Sequence, residues 1–222
     1  MTNPVMSPRW LGRISFADAL AIQEKIVARK AADRGAADEL LLLEHEPVYT
    51  IGRTPDRSSL RGSAHLSHPL FEINRGGQAT YHGPGQLVGY PLIDLRRYVQ
   101  DLHRYLRWIE ETLIELLAIY GIAGTRRETL TGVWVDDRKI ASIGVGVRHW
   151  ITMHGFALSV SGDLSPFAQI TPCGISDVKM TSIERETRRP ATVPQVASDA
   201  GPLIIERLAR LSISANEHAE VR

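Results

Sequence analysis

The 222-residue chain has a single cysteine, Cys173. One thiol forms no internal disulfide, and without a Cys-x-x-Cys pair the sequence offers neither a zinc knuckle nor a dithiol redox site. The N-terminal MTNPVMSPRW lacks an apolar stretch of signal-peptide length. The densest apolar cluster, the four leucines at residues 40–43, is far too short to span a bilayer. Charge of one sign is lacking too: 26 Lys and Arg against 25 Asp and Glu leave a formal charge of +1. That balance gives no reason to expect nucleic acid, which demands a strongly basic face. These absences together point to a soluble, cytoplasmic protein in a reducing compartment, with no membrane and no nucleic acid partner. A monomer is the default expectation for its assembly.

What remains is ordinary globular material, 43% hydrophobic and 23% charged. The length suits one domain over residues 1–222, with its core at about 10–211 and a frayed tail at 212–222. Ser15 and Asp18 cap a helix whose apolar positions continue to about Arg34. Residues 40–43 and 48–51 read as strands, and residues 54–69 as loop. Leu102, Leu106, Ile109, Leu113, Leu116, Leu117 and Tyr120 form one helical stripe, with Gly121 as its stop. Residues 139–147 and 151–160 read as partner strands around a turn at Arg148-His149-Trp150, and Gly201-Pro202 as a break in the last helix. The fold class is α+β: a mixed β-sheet flanked by helices.

The stretch RGGQATYHGPGQLVGYP, from Arg75 to Pro91, is the most distinctive in the chain. It lacks the lysine of a P-loop and the Gly-x-Gly-x-x-Gly spacing of a dinucleotide site. Pro84-Gly85 fits the two central positions of a turn. A surface hairpin and a functional loop both satisfy this pattern. Among the eight histidines, His45-Glu46 begins like a zinc-protease motif, but Tyr49 stands where the second histidine belongs. His65 and His68 form a pair without a convincing third ligand, and His149 and His154 lie across a turn, so no metal is expected. Cys173 in TPCGI has two readings, a small buried hydrophobe or a nucleophile presented on a Pro-Gly bend. Lys139, between a polar turn and an apolar strand, is either an exposed hairpin lysine or an inward-pointing cation able to favour a thiolate.

The segments LLEHEPVYTIGR, RGGQATYHGPGQLVGYPL, VWVDDRKIASIGVGVRHWITMHGFAL and PCGI occur in this order. Together they closely resemble the octanoyltransferases of lipoate biosynthesis, over about residues 40–185. The resemblance implies the fold of the biotin and lipoate protein ligase catalytic domain. It implies transfer of octanoyl from octanoyl-acyl carrier protein to a lysine of lipoyl-domain proteins, with no cofactor. The acceptors would be E2 subunits of 2-oxoacid dehydrogenases and the glycine cleavage H protein. By the same resemblance Cys173 is the nucleophile, and Lys139 lowers its pKa and moves protons. An acyl pocket would be lined by Arg75, Gly76, Gly77, Gln78, Ala79, Thr80, Tyr81 and His82. Ser142, Ile143 and Gly144 would join it, with Gly155, Phe156 and Ala157. Seven carbons beyond the carbonyl make burial of the chain worth roughly 5 kcal/mol.

The chain departs from the family pattern at Ser159, where Asn is usual, and at Glu46, where Pro is more usual. Three rival functions leave different signatures. An ATP-dependent ligase would not need Cys173, a non-catalytic acyl-binding module would never form an acyl-enzyme, and a Cys-His hydrolase would release free octanoate.

Overall fold

The computed structural model describes residues 6–53, 58–60, 66–171 and 178–219, with side chains up to 211. Cys173, Pro172, Gly174 and His65 lie outside the described residues.

Strand β1 (Ser7–Ile14), helix α1 (Phe16–Ala32) and strand β2 (Glu39–His45) form a parallel crossover unit. The helix starts where the sequence caps it: Ser15 Oγ accepts from the Asp18 N–H at 3.1 Å and donates to Asp18 Oδ2 at 2.6 Å. Strands β3 (Val48–Ile51), β4 (Leu70–Glu72) and β5 (Thr80–His82) form a small sheet in the order β4-β3-β5. The chain then turns through Gly83-Pro84-Gly85-Gln86. Gly85 sits at φ +90°, and the Gln86 N–H donates to the Gly83 carbonyl at 3.2 Å.

Strand β6 (Gln86–Leu92) returns to the large sheet, and helix α2 (Leu102–Ile119) follows. Next come β7 (Thr125–Arg127), β8 (Leu130–Val135), β9 (Arg138–Arg148) and β10 (Ile151–Ser159). The β9–β10 hairpin closes on His149 and Trp150, both at positive φ (52° and 64°), as two-residue hairpin loops require. The short strand β11 (Lys179–Met180) and helices α3 (Ile183–Thr187) and α4 (Val193–Ala219) complete the chain. The large sheet runs β1-β2-β6-β10-β9-β8-β7, with β11 parallel to β9; it is the mixed sheet expected from sequence.

The sheet is buried on both faces, and β2 shows why four consecutive leucines can sit in one strand. Leu40 and Leu42 pack into the core under α2 and α4, whereas Leu41 and Leu43 pack with Ala19 and Ile26 of α1.

One expectation is corrected. Gly201-Pro202 does not break the last helix, which continues through Pro202. Gly201 is there for contact: a Cβ on it would meet Pro8 of β1 at 3.1 Å, so its absence lets α4 lie close to the sheet edge.

Candidate active site

A pocket of about 460 Å³ of empty space, including the solvent at its mouth, opens between the large sheet, the small sheet and the start of α1. Strand β9 gives it Ser142, Ile143 and Gly144, and β10 gives Gly155, Phe156 and Ala157. Arg75, Gly77, Gln78, Thr80 and His82 line the opposite wall. Of the residues expected at a pocket, Gly76, Ala79 and Tyr81 are placed elsewhere. Gly76 pins the loop to β9, its N–H donating to the Val145 carbonyl at 3.0 Å. Ala79 and Tyr81 point the other way, into a cluster with Tyr49, Leu164 and Phe167, because side chains alternate about Thr80 and His82. Phe16, Ile73, Tyr90 and His154 line the pocket and were not singled out from sequence as its walls.

The glycine-rich stretch answers to another backbone as much as to a ligand. A Cβ on Gly144 would lie 2.9 Å from Arg75 Cδ, and one on Gly146 would lie 2.5 Å from the Asn74 carbonyl oxygen. The 74–77 loop can therefore lie flat on β9 only because those two positions have no side chain. Arg75 is held against the pocket wall by Thr50, donating from Nη2 to Thr50 Oγ1 (2.9 Å) and to its carbonyl (3.1 Å).

Lys139 is fully buried, so the exposed-hairpin reading is set aside. Simple alternation along β9 would put it on the face opposite Ser142. A bulge prevents that: Trp134 pairs with Lys139 but Val133 pairs with Ala141, so one step on β8 spans two on β9. Ile140 and Ala141 accordingly both enter the helix-side core, and Lys139 returns to the face that carries Ser142. Its Nζ donates to the Thr131 carbonyl at 3.3 Å and lies 5.4 Å from the ring centroid of Trp134. Gly132, at φ +135°, makes the space: a Cβ there would come within 2.7 Å of Lys139 Cε.

Two buried histidines, His82 and His154, line the pocket, and a third, His45, lies with its ring 5.8 Å from that of His82. Burial favours the neutral form of all three. His45 Nδ1 faces the Ile14 carbonyl (3.1 Å) and must donate to it, so Nε2 accepts from the Tyr90 hydroxyl (2.7 Å). Burial pulls His45 and His154 down to about 4, with the Arg75 guanidinium adding to the shift at His154. His82 is also held well below its ordinary value, first by burial and then by the proximity of His45 and Arg75. Among the described residues no three His, Cys, Asp or Glu side chains converge as a metal site. The hydroxyls of Thr80 and Ser142, both on the pocket wall, are buried without a hydrogen-bond partner among the described residues. Orphaned donors of this kind suit a ligand carbonyl.

The segment carrying Cys173 is bracketed by described residues. On its N-terminal side the Thr171 N–H donates to the Ser59 carbonyl at 2.7 Å. On its C-terminal side β11 pairs with β9 in the register Met180 to Lys139, and the Thr181 N–H donates to the Lys139 carbonyl at 3.0 Å.

The family model for the Lipoyl protein ligase A/B catalytic domain matches residues 15–200. Lipoate-protein ligase A bound with ATP superposes with a TM-score of 0.68 at 15% identity, over 93% of this chain and 85% of its own. Biotin protein ligase from Aquifex aeolicus superposes at 0.54 with 14% identity, over 93% of this chain and 70% of its own. At such identities these two establish the fold alone. Sequence relatives are far nearer. The Octanoyltransferase of Geotalea uraniireducens (strain Rf4) is 54% identical over 176 residues, 79% of this chain and 80% of its own. That of Geobacter sulfurreducens (strain ATCC 51573 / DSM 12127 / PCA) is 50% identical over 193 residues, 86% of this chain and 80% of its own. The chain belongs to the lipoyl protein ligase A/B catalytic-domain family, within its octanoyltransferase branch.

Proposed function

We propose that this protein transfers an octanoyl group from an acyl carrier protein thioester, through Cys173, to a lysine of lipoyl-domain proteins. The single observation that carries this reading is Lys139: a fully buried lysine, brought onto the pocket face by the β9 bulge, beside the strand that follows the Cys173 segment. The relatives named Octanoyltransferase support the same reading. For the acceptor, a fold neighbour from Thermoplasma acidophilum is described together with its E2 lipoyl domain, at 19% identity and a TM-score of 0.58.

In the proposed cycle the Lys139 ammonium favours the Cys173 thiolate, which attacks the thioester carbonyl. In this cycle the Thr80 and Ser142 hydroxyls, unpartnered on the pocket wall among the described residues, donate to the oxygen that gains charge. The carrier thiolate departs and takes a proton from Lys139, leaving octanoyl on sulfur and a neutral Lys139. The acceptor amine then attacks the acyl-enzyme, its proton passes to Lys139, and Cys173 leaves as thiolate. The first exchange is nearly balanced, since one thioester replaces another; the amide formed in the second drives the cycle forward. Two protein substrates using one site in turn give ping-pong kinetics.

Intact-protein mass spectrometry after mixing with octanoyl-acyl carrier protein tests the reading. The wild type should gain one octanoyl group, discharged by added lipoyl domain, and Cys173→Ala should gain none. Modification of the lipoyl domain without any acyl-enzyme, or only in the presence of ATP, would place the protein with the ligases of its fold instead.

A further inference from the structure

The pocket has a larger neighbour. Beyond its inner end lies a second cavity, about 1460 Å³ of empty space including the solvent above it, between α1 and the β9–β10 hairpin. Its lining is mixed: Leu20, Val27, Ala28 and Met153 supply apolar surface, and Glu24, Glu72, Arg148 and His149 polar surface. Ile73 and His154 line both cavities, so these two side chains are the wall between them.

The sheet register shows where that wall stands along the path of a ligand. Ala157 pairs with Ser142, Gly155 with Gly144, and His154 with Val145. Leading away from Lys139, the pocket floor therefore passes Ser142 and Ala157, then Gly144 and Gly155, and meets His154 next. From Ser142 to Gly144 is two strand steps, about 7 Å. A thin alkyl chain in the pocket that these two glycines line meets an imidazole where the glycines end.

The wall is held firmly. His154 adopts φ +58°, which L side chains rarely do in a strand. Its N–H donates to Gln23 Oε1 at 2.8 Å, and Gln23 is wholly buried in α1. Its ring meets Tyr90 edge-on (6.2 Å, 79°), and the Tyr90 hydroxyl is itself tied to His45. Backbone strain kept in place by two buried contacts marks a position fixed for its side chain.

We propose that His154, with Ile73, ends the acyl pocket and sets its chain-length limit, and that the second cavity is the room a longer acyl chain enters when this wall is removed. The proposal rests on the acyl-transfer reading above.

His154→Gly is the direct test, because glycine accepts the positive φ and deletes the wall. The measured quantity is the ratio of acyl-enzyme formation rates from dodecanoyl and octanoyl carrier protein. Each newly buried methylene is worth about fourfold in binding, so the ratio should rise at least about tenfold over wild type. A ratio within about twofold of wild type overturns the proposal, that factor being less than one methylene is worth. If His154→Gly loses activity toward both donors, Ile73→Ala removes the other half of the wall and is read by the same ratio, with the same overturning result. Calorimetric titration of free octanoate and dodecanoate into wild type and variant separates the two readings. A selective gain for dodecanoate keeps the wall even if wild type forms no acyl-enzyme, which would sink the transfer mechanism alone. Normal octanoyl loading of the wild type with no change of preference in either variant sinks the wall alone.

Discussion

Two lysines are wholly buried in this fold, and they are held in different ways. Lys30, on α1, donates to Asp38 Oδ1 and to the carbonyls of Ala36 (3.2 Å) and Ala37 (3.0 Å). Asp38 in turn accepts from the Tyr98 hydroxyl (2.8 Å) and the Asp94 N–H (3.0 Å). Every direction around that ammonium is occupied by structure, and the pair ties the end of α1 to the segment leading into β2. Lys139 instead lies over an indole, with the Thr131 carbonyl at 3.3 Å, in a space kept open by a glycine at positive φ. A carboxylate clamp fixes Lys30 as a strut, whereas the proposed function asks Lys139 to exchange a proton. Burial alone therefore does not distinguish a structural lysine from one proposed to do chemistry.

The comparison breaks most visibly at Lys139. Lys139→Met, which keeps the length and loses the amine, should fold normally and lower the octanoyl-transfer rate by about 10²–10⁴, the range for removing a general acid–base group. Lys30→Met should do the reverse. Leaving Asp38 buried without its partner should cost about 3–5 kcal/mol in urea denaturation, while the rate per folded molecule stays within about twofold.

Acid should act on the pocket end of the molecule. His45 and His154 have folded-state values of about 4 against an ordinary 6.5. Their neutral forms are favoured on folding, so this stabilisation is complete above pH 6.5 and is lost as pH falls from 6.5 toward 4. Each shift is worth on the order of 3 kcal/mol, and the denaturation midpoint should fall steeply across that window. In the double variant His45→Gln/His154→Asn the slope should flatten.

The smallest effect sharpens the comparison. Gly132→Ala would set a methyl 2.7 Å from both Lys139 Cε and the Ala141 carbonyl oxygen. It should destabilise by about 1–3 kcal/mol and also slow transfer, since it displaces the amine. A purely structural glycine would show the first effect without the second.

Much of the fold was legible because its elements carry strong local signals. The Ser15–Asp18 cap, the α2 stripe ending at Gly121, and the β9–β10 hairpin all stand where pattern and turn chemistry put them. The break at Gly201-Pro202 was misread because local propensity yielded to tertiary packing against Pro8. The site was legible in part. The resemblance implied pocket walls at Ser142–Gly144 and Gly155–Ala157, and the structure sets these two segments side by side in β9 and β10. Which of residues 75–82 face inward depends on the phase of β5, three residues long, and too short to declare a period. The inward turn of Lys139 depends on a bulge that no local pattern announces. Phe16 and Tyr90 reach the pocket from the start of α1 and from β6, where nothing in the sequence singled them out, and His154 was noticed only as a doubtful metal ligand. Its neighbour Gly155, in a glycine-bearing hairpin, was the available hint.

The contrast between the two lysines can be read directly at the cysteine, since the chain has only one. The measurement is the rate of iodoacetamide alkylation of Cys173 against pH, in wild type, Lys139→Met and Lys30→Met, with the site confirmed by peptide mass. If Lys139 is the thiolate's partner, its loss moves the alkylation profile to higher pH, while the folded fraction of Lys30→Met follows the wild-type curve. Superimposable profiles for wild type and Lys139→Met would contradict the account, because the buried amine would then have no hold on the nucleophile.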